Sequence, residues 1–494
     1  MARPLNIAFV HPDLGIGGAE RLVVDAAISL QKRGHNVVIY TMHHDVSHCF
    51  EETRDGTLDV RVGGNWLVPR SIGGRLYILC TILRSLMLAR HVISDPEQYD
   101  ALFVDQLSAP IPLLKYAHAH IFFYCHFPDY LLARRNTLWQ RVYRAPFDLL
   151  EEFTTGEADE IVVNSRFTQE TFRTAFPRLN RVPKVLTPAL NFEAYDKPID
   201  ANDPLLCTLR TRKRVVLSIN RFERKKDIGL AITAFSKCCK TLLAKKNDAE
   251  SATSTSRCCL VLAGGWDPRV LENTQYLKEL DTQARQLGLC TRTVAPRGAN
   301  KDVYALLPGG AVSATAMFDD ESGHNSEFGE GEALSERLAS IDVLFLPSFT
   351  ENQRAYLLSI ARCVVYTPTN EHLGIAPLES MYMRVPVVAA DSGGPLETIQ
   401  HGKTGYLCAP VEDEFAMAIS RLLNMDDDKW KAMGGAGHER VRLAYSLDVF
   451  GSRLEQLIVG MFQRPARASM VMGVLLVGFI VSTVCLSLLF TWWK

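Results

Sequence analysis

Two blocks of short apolar runs, each alternating with helix-length amphipathic segments, constrain this chain more than any other feature. In the first block β-rich runs stand at Asn6–His11, Asn36–Thr41, Ala101–Asp105, His120–Cys125 and Glu160–Asn164. In the second they stand at Arg214–Ser218, Cys259–Ala263, Ile341–Leu346, Val364–Thr367, Val385–Ala390 and Gly405–Ala409. Strands this apolar, separated by helices, belong in parallel sheets with both faces covered. Between the blocks the chain loosens through Thr187-Pro188, Lys197-Pro198 and Asp203-Pro204, which reads as a linker. The expected fold is α/β, with two doubly wound Rossmann-like domains in series facing a cleft. A chain of 494 residues is too long for one core, which agrees with that division.

The expected boundaries are 1–190 for the first domain, 191–213 for the linker and 214–445 for the second domain. Residues 446–469 form a terminal helix and juxtamembrane segment. The stretches 246–257 and 308–332 read as surface insertions, too poor in apolar residues to order themselves. From Met470 to Trp493 no residue is charged, and about 20 apolar residues cross a bilayer as helix. Trp492 and Trp493 close that run as interfacial anchors. Arg464 and Arg467 precede it and Lys494 follows, so a transmembrane helix at 470–493 with the globular mass in the cytosol is expected. The amino-terminal run at Asn6–Val10 is too short for a signal peptide.

A formal charge of −1 gives no global basic field, so nucleic acid is not an expected partner. The 12 cysteines show no regular metal spacing and read as reduced thiols. The acidic runs at Asp319–Glu321 and Asp426–Asp428 lie in an insertion and before a helix start, and no metal site is assigned.

In open α/β sheets ligands bind beyond the carboxyl ends of the strands, so the turns there are the informative ones. Glu371 and Glu379 form a Glu-x7-Glu pair around Gly374 and Ile375. One acid falls in the loop after a strand, and the other in the helix that Pro377 helps to start. Acceptor-only side chains there suit a ligand rich in hydroxyls, although two solvated acids near a helix start are the ordinary alternative. Arg221 and Lys226 follow the strand Arg214–Ser218 and suit a diphosphate, one as a planar fork and the other as a point charge. Gly264-Gly265 and Gly393-Gly394 add glycine turns after strands. In the first domain, Gly17 and Gly18 lie where a strand runs into a helix, a turn whose amides suit a phosphate. His126 follows another strand; alone, such a histidine is more often structural. A dinucleotide fingerprint would need glycine at position 20, where Glu20 stands, and an acid ending the second strand, where none occurs before Asp45. An oxidoreductase is therefore disfavoured.

Gly17-Gly18-Ala19-Glu20, Arg221 with Lys226, and Glu371 with Glu379 resemble the retaining glycosyltransferases of the GT-B fold. Further runs (Phe9–Arg21, Tyr124–Asp129, Val163–Thr168 and Tyr366–Glu379) are similar to those of the mannosyltransferases that build the dolichol-linked oligosaccharide. The resemblance spans nearly the whole chain before the tail. It implies transfer of mannose from GDP-mannose to a dolichol diphosphate-linked oligosaccharide, forming α-1,3 and then α-1,6 linkages in N-glycan precursor assembly. The implied setting is the endoplasmic reticulum membrane, facing the cytosol, alongside other mannosyltransferases of the pathway. The resemblance also implies roles. Glu371, His126, Arg221 and Lys226 are catalytic. The donor meets Gly17, Gly18, Arg221, Lys226, Gly264, Glu371, Gly374, Ile375 and Glu379. No cofactor and no metal are required. Another GT-B transferase, or a sugar-nucleotide-binding membrane scaffold without turnover, is the alternative. Two amphipathic segments, 76–92 and 130–153, are candidate interfacial helices. The second carries Leu131, Leu132, Trp139, Val142, Tyr143 and Phe147 among Arg134, Arg135, Arg141 and Arg144.

Overall fold

A computed structural model describes residues 3–64, 67–72, 76–132, 137–199, 214–244, 258–296, 298–309, 311–312 and 341–464. They divide into two compact units: the residues up to Ala189 together with those from Tyr445 onward, and Leu190–Ala444. The expected insertions and the expected membrane-spanning helix fall wholly or mostly outside the described residues.

The first unit holds seven parallel strands: β1 (Asn6–His11), β2 (Asn36–Thr41), β3 (Asp59–Val62), β4 (Ala101–Asp105), β5 (His120–Cys125), β6 (Glu160–Val163) and β7 (Lys184–Val185). Their order is β3-β2-β1-β4-β5-β6-β7. The chain winds outward from β1 in one direction, then restarts at β4 in the other. The crevice between β1 and β4 is thus the topological switch point. Aromatic stacking of Phe9, Phe103 and Phe122 across β1, β4 and β5 fills the centre of the sheet. β3 and β7 were not expected. Both are short edge strands, and edges tolerate the polar alternation of Asp59-Val60-Arg61-Val62 that hides a strand from a hydrophobicity reading.

The helix Leu447–Met461 closes this unit. Phe450, Leu454, Ile458 and Met461 enter the core beneath the helix Gly18–Lys32. A Cβ on Gly451 would stand 2.7 Å from the Ser29 Cβ, so glycine sets the close approach of the two helices. Glu455 bonds Arg33 at 3.3 Å and His35 Nε2 at 3.2 Å, while His35 Nδ1 accepts from the Leu5 amide. The sequence set residues 446–469 apart from both domains; the described part of that segment packs as an integral layer of the first.

The second unit repeats the plan with β8 (Val215–Ile219), β9 (Cys259–Gly264), β10 (Thr291–Thr293), β11 (Val343–Pro347), β12 (Ala361–Tyr366), β13 (Val387–Ala390) and β14 (Gly405–Cys408). The order β10-β11-β9-β8-β12-β13-β14 places its switch point between β8 and β12. β10 is a three-residue edge strand, Thr-Arg-Thr, with no apolar run to mark it in the sequence.

Candidate active site

The four turns singled out from the sequence in the second domain follow β9, β8, β12 and β13, which are neighbours in the sheet. They therefore share one edge, and their glycines explain how they fit. A Cβ on Gly264 would lie 1.7 Å from the Asn220 carbonyl oxygen. The Asn220 amide donates to the Ala263 carbonyl at 3.0 Å and that of Phe222 to Gly265 at 3.1 Å. Gly264 thus serves as the seat on which the Asn220-Arg221 turn rests. Gly393 (φ +66°) and Gly394 do the same for the acidic loop: a Cβ on either would meet the backbone of Glu371 or Leu373 within 2.4 Å. The Gly394 amide donates to the Glu371 carbonyl at 2.8 Å. Gly374 (φ +79°) turns the chain into the helix Ile375–Tyr382, and a Cβ there would stand 3.1 Å from the Tyr366 ring.

On this seat Lys226 and Glu371 meet directly as an ion pair. The Lys226 side chain is 9% exposed and that of Glu371 25%. Thr367 fixes the lysine's backbone by donating to its carbonyl at 2.7 Å. Arg221 projects from the turn, largely exposed, with Glu223 3.2 Å away. Two residues assigned separately to phosphate and to sugar are thus one contact spanning the switch point.

Glu379 is not an open carboxylate. It is buried, and Arg354 from the helix Glu351–Ile360 bonds it at 3.0 Å. Burial works against the Arg354 cation, but Glu379 and Glu351 outweigh it and hold its pKa above the ordinary range. The Tyr195 hydroxyl joins the pair; burial first, then the Glu379 charge, pushes its pKa up. Tyr195 belongs to the turn Glu193–Asp196, pinned by Phe192 stacked 4.3 Å from Tyr382 and by the Tyr382 hydroxyl donating to Asp196 at 2.9 Å. No spacing in the sequence pointed to Arg354 or Tyr195, because only the tertiary fold carries them to Glu379.

In the first unit, Gly17 caps the helix Gly18–Lys32, and a Cβ there would stand 2.2 Å from Glu20 Oε2. Glu20 folds back over the helix start, its carboxylate against Gly17. His11 ends β1, Asp105 ends β4 and His126 follows β5, three adjacent strands. Asp105 bonds His11 Nδ1 at 2.7 Å through one oxygen and His126 Nε2 at 3.1 Å through the other. Burial opposes charge on His11, but Asp105 and then Glu20 prevail and raise its pKa to about 10. Burial likewise opposes the Asp105 charge, and His11 with His126 keeps its pKa below the ordinary carboxylate value. His11 and Asp105 were missed. Each was visible as the last residue of a strand, but the strand order that joins them was not.

The candidate interfacial helix at 130–153 resolves into Asp129–Leu132 and Leu138–Gly156. Leu138, Val142, Leu149 and Phe153 share one exposed face. Phe147 and Leu150 instead turn inward onto Leu79 and Ile82, with Tyr143 partly buried against them. Arg144 is also reassigned. It bonds Asp129 at 2.7 Å with its side chain 12% exposed, which makes it a structural cation. Arg134 and Arg135 lie outside the described residues. The helix Tyr77–Ser94 is, among the described residues, one long and apolar enough to cross a membrane. Its Leu79, Ile82, Leu88 and Val92 are buried in the domain, as a core helix requires.

Residues 16–185 match the model of Glycosyltransferase Family 4, and residues 323–440 that of Glycosyl transferases group 1. Among solved structures, sucrose-phosphate synthase from Thermosynechococcus elongatus superposes with a TM-score of 0.64 at 16% identity, covering 93% of this chain and 99% of the other. Anabaena HepE in complex with UDP and glucose gives 0.60 at 18%, covering 92% and 100%. Two parallel-sheet units with this switch-point edge define a glycosyltransferase of the GT-B class. The α-1,3/1,6-mannosyltransferase ALG2 of Rhizomucor pusillus is 47% identical over 93% of this chain and 92% of its own length. The Schizosaccharomyces pombe protein of that name is 41% identical (92% and 81%), and the Homo sapiens protein 39% (92% and 95%). The chain belongs to the ALG2 family of α-1,3/1,6-mannosyltransferases.

Proposed function

We propose that the chain transfers mannose from GDP-mannose to a dolichol diphosphate-linked oligosaccharide, forming the α-1,3 and then the α-1,6 linkage, at the cytosolic face of the endoplasmic reticulum. The observation that carries this reading is the Lys226–Glu371 pair at the β8/β12 switch point, in a chain of the ALG2 family. Glu371, charged and held by lysine, is suited to accept hydrogen bonds from mannose hydroxyls. Glu379 Oε1 is engaged by Arg354, and the acid is assigned the ribose hydroxyls through its remaining acceptor capacity. Gly374 and Ile375 head a helix whose positive end favours an anion.

Arg221 and Lys226 stabilise the charge that grows on the departing diphosphate, the preorganised electrostatic contribution that is often largest in catalysis. They supply the positive charge that a divalent ion supplies in other transferases, so no metal is assigned. The acceptor hydroxyl attacks on the face the leaving group departs from, and the leaving phosphate takes its proton. An ion-paired Glu371 is a poor nucleophile, in keeping with a reaction that needs no covalent intermediate on the protein. In the first unit, the Gly17 and Gly18 amides are assigned to phosphate and His126 to the substrate sugar.

The lipid acceptor demands a membrane. We assign the uncharged run 470–493 to a spanning helix and the exposed stripe Leu138, Val142, Leu149 and Phe153 to the lipid surface. The test is a transfer assay with GDP-mannose and a lipid-linked mannosyl-chitobiose acceptor, in the presence of a chelator, reading both linkages. Both products should form undiminished. Transfer from UDP-glucose instead, or dependence on added divalent ion, would overturn the donor or the metal-free assignment.

A further inference from the structure

The residues at the first unit's switch point form a chain of three: a buried imidazole, a buried carboxylate and a partly exposed imidazole. His11 and Asp105 have side chains 1% exposed, and that of His126 is 25% exposed. An ionised carboxylate has no proton to give, so each ring nitrogen it meets carries the hydrogen. Asp105 therefore receives Nδ1–H from His11 and Nε2–H from His126.

For His11 this leaves Nε2 buried without a hydrogen-bond partner and 3.9 Å from Glu20 Oε1. A protonated His11 serves both acids at once and keeps Asp105 charged. For His126 the consequence differs. With Nε2–H committed to Asp105, the free nitrogen is Nδ1, and on the neutral ring that is a lone-pair acceptor. The rest of the residue is anchored too. Asn164, just past β6, donates to the His126 carbonyl at 3.1 Å, and the Tyr124 ring lies 4.9 Å from the imidazole. Groups on or just beyond four adjacent strands, β1, β4, β5 and β6, thus hold this residue directly or through Asp105, and Asp105 sets the tautomer of its ring.

We propose that Asp105, backed by buried His11, is a positioning residue for sugar transfer: it holds His126 as the Nε2–H tautomer so that Nδ1 accepts a hydrogen bond from a substrate hydroxyl. The inference rests on the reading that His126 meets the substrate sugar. An acceptor at a fixed point orients a hydroxyl, which a freely turning ring would not do. The acceptor role also separates His126 from the cations Arg221 and Lys226, which can only donate.

The test uses the full-length enzyme. Asp105→Asn replaces an acceptor-only group by an amide that also donates, so neither the tautomer nor the charge on His11 is held. Its kcat should fall roughly tenfold or more, with the GDP-mannose KM within about threefold of wild type. In nitrogen-15 histidine spectra the His126 signals, identified by their loss in His126→Gln, should pass from the pure Nε2–H pattern to a mixture. His11→Gln still offers Asp105 an N–H, and should keep the tautomer with a smaller loss of kcat.

A merely structural role would lower the folded fraction while leaving kcat per folded molecule and the His126 pattern unchanged, and that result overturns the proposal. Should Asp105→Asn fail to fold, the wild-type spectrum decides: His126 with hydrogen on Nδ1 at neutral pH refutes it. Wild-type enzyme that transfers no mannose would refute the proposed function instead, leaving the tautomer measurement standing.

Discussion

Replacing Lys226 by methionine keeps most of the aliphatic stem and removes the ammonium that pairs with Glu371. Two unit charges 4 Å apart attract by about 1 kcal/mol in water and about 4 kcal/mol at the effective dielectric typical of a protein surface. One member here is nearly buried and the other is a quarter exposed, which places the pair near about 2 kcal/mol between those limits. Losing the ammonium leaves Glu371 partly hydrated, so the variant should fold with a stability loss of about that size. Its effect on rate should be larger. A preorganised charge aimed at the leaving group is typically worth a hundred- to a thousandfold in kcat, roughly 3–4 kcal/mol.

The contact itself makes a second claim. If Lys226 and Glu371 act as one unit, either substitution breaks it, and adding Glu371→Gln to Lys226→Met should cost no more than about threefold further. The assay is single-turnover transfer from GDP-mannose, with circular dichroism and urea denaturation to establish folding. A folded Lys226→Met enzyme within about threefold of wild type would refute the diphosphate role. A double mutant whose loss equals the product of the single losses would refute the shared contact.

Two further outcomes follow from other parts of the molecule. His11 has a folded pKa of about 10, above its ordinary 6.5, so the stability it contributes is fully present below about pH 6.5 and lost as pH rises through about 10. Thermal melts should show the wild-type midpoint falling between pH 7 and 10.5 more steeply than that of His11→Gln; parallel curves would show that His11 is not held protonated. A chain ending before Arg464 should float with anionic vesicles, and Val142→Asp with Leu149→Asp should abolish the flotation. Equal flotation of both chains would remove the exposed stripe from the membrane surface.

The fold was legible because parallel strands buried on both faces must be continuous apolar runs. Eleven such runs were read from the sequence, and the seven-stranded sheets add only short strands at or near their edges. Glycines at strand ends were equally visible, but their meaning was not. Gly264, read as a donor contact, earns its place by the approach of the Asn220 carbonyl, which no spacing encodes.

Taken by itself, the sequence determined the two-sheet architecture, the family resemblance and which residue types gather at the strand ends. Periodicity and local turn chemistry are properties of neighbours along the chain. Only the tertiary structure decided which of those residues meet. Lys226 reaches Glu371 because β8 lies beside β12, and His11 and His126 share Asp105 because β4 lies between β1 and β5. The Lys226–Glu371 and His11–Asp105 contacts arise where strand order departs from sequence order, and such contacts between distant segments leave no local pattern to read.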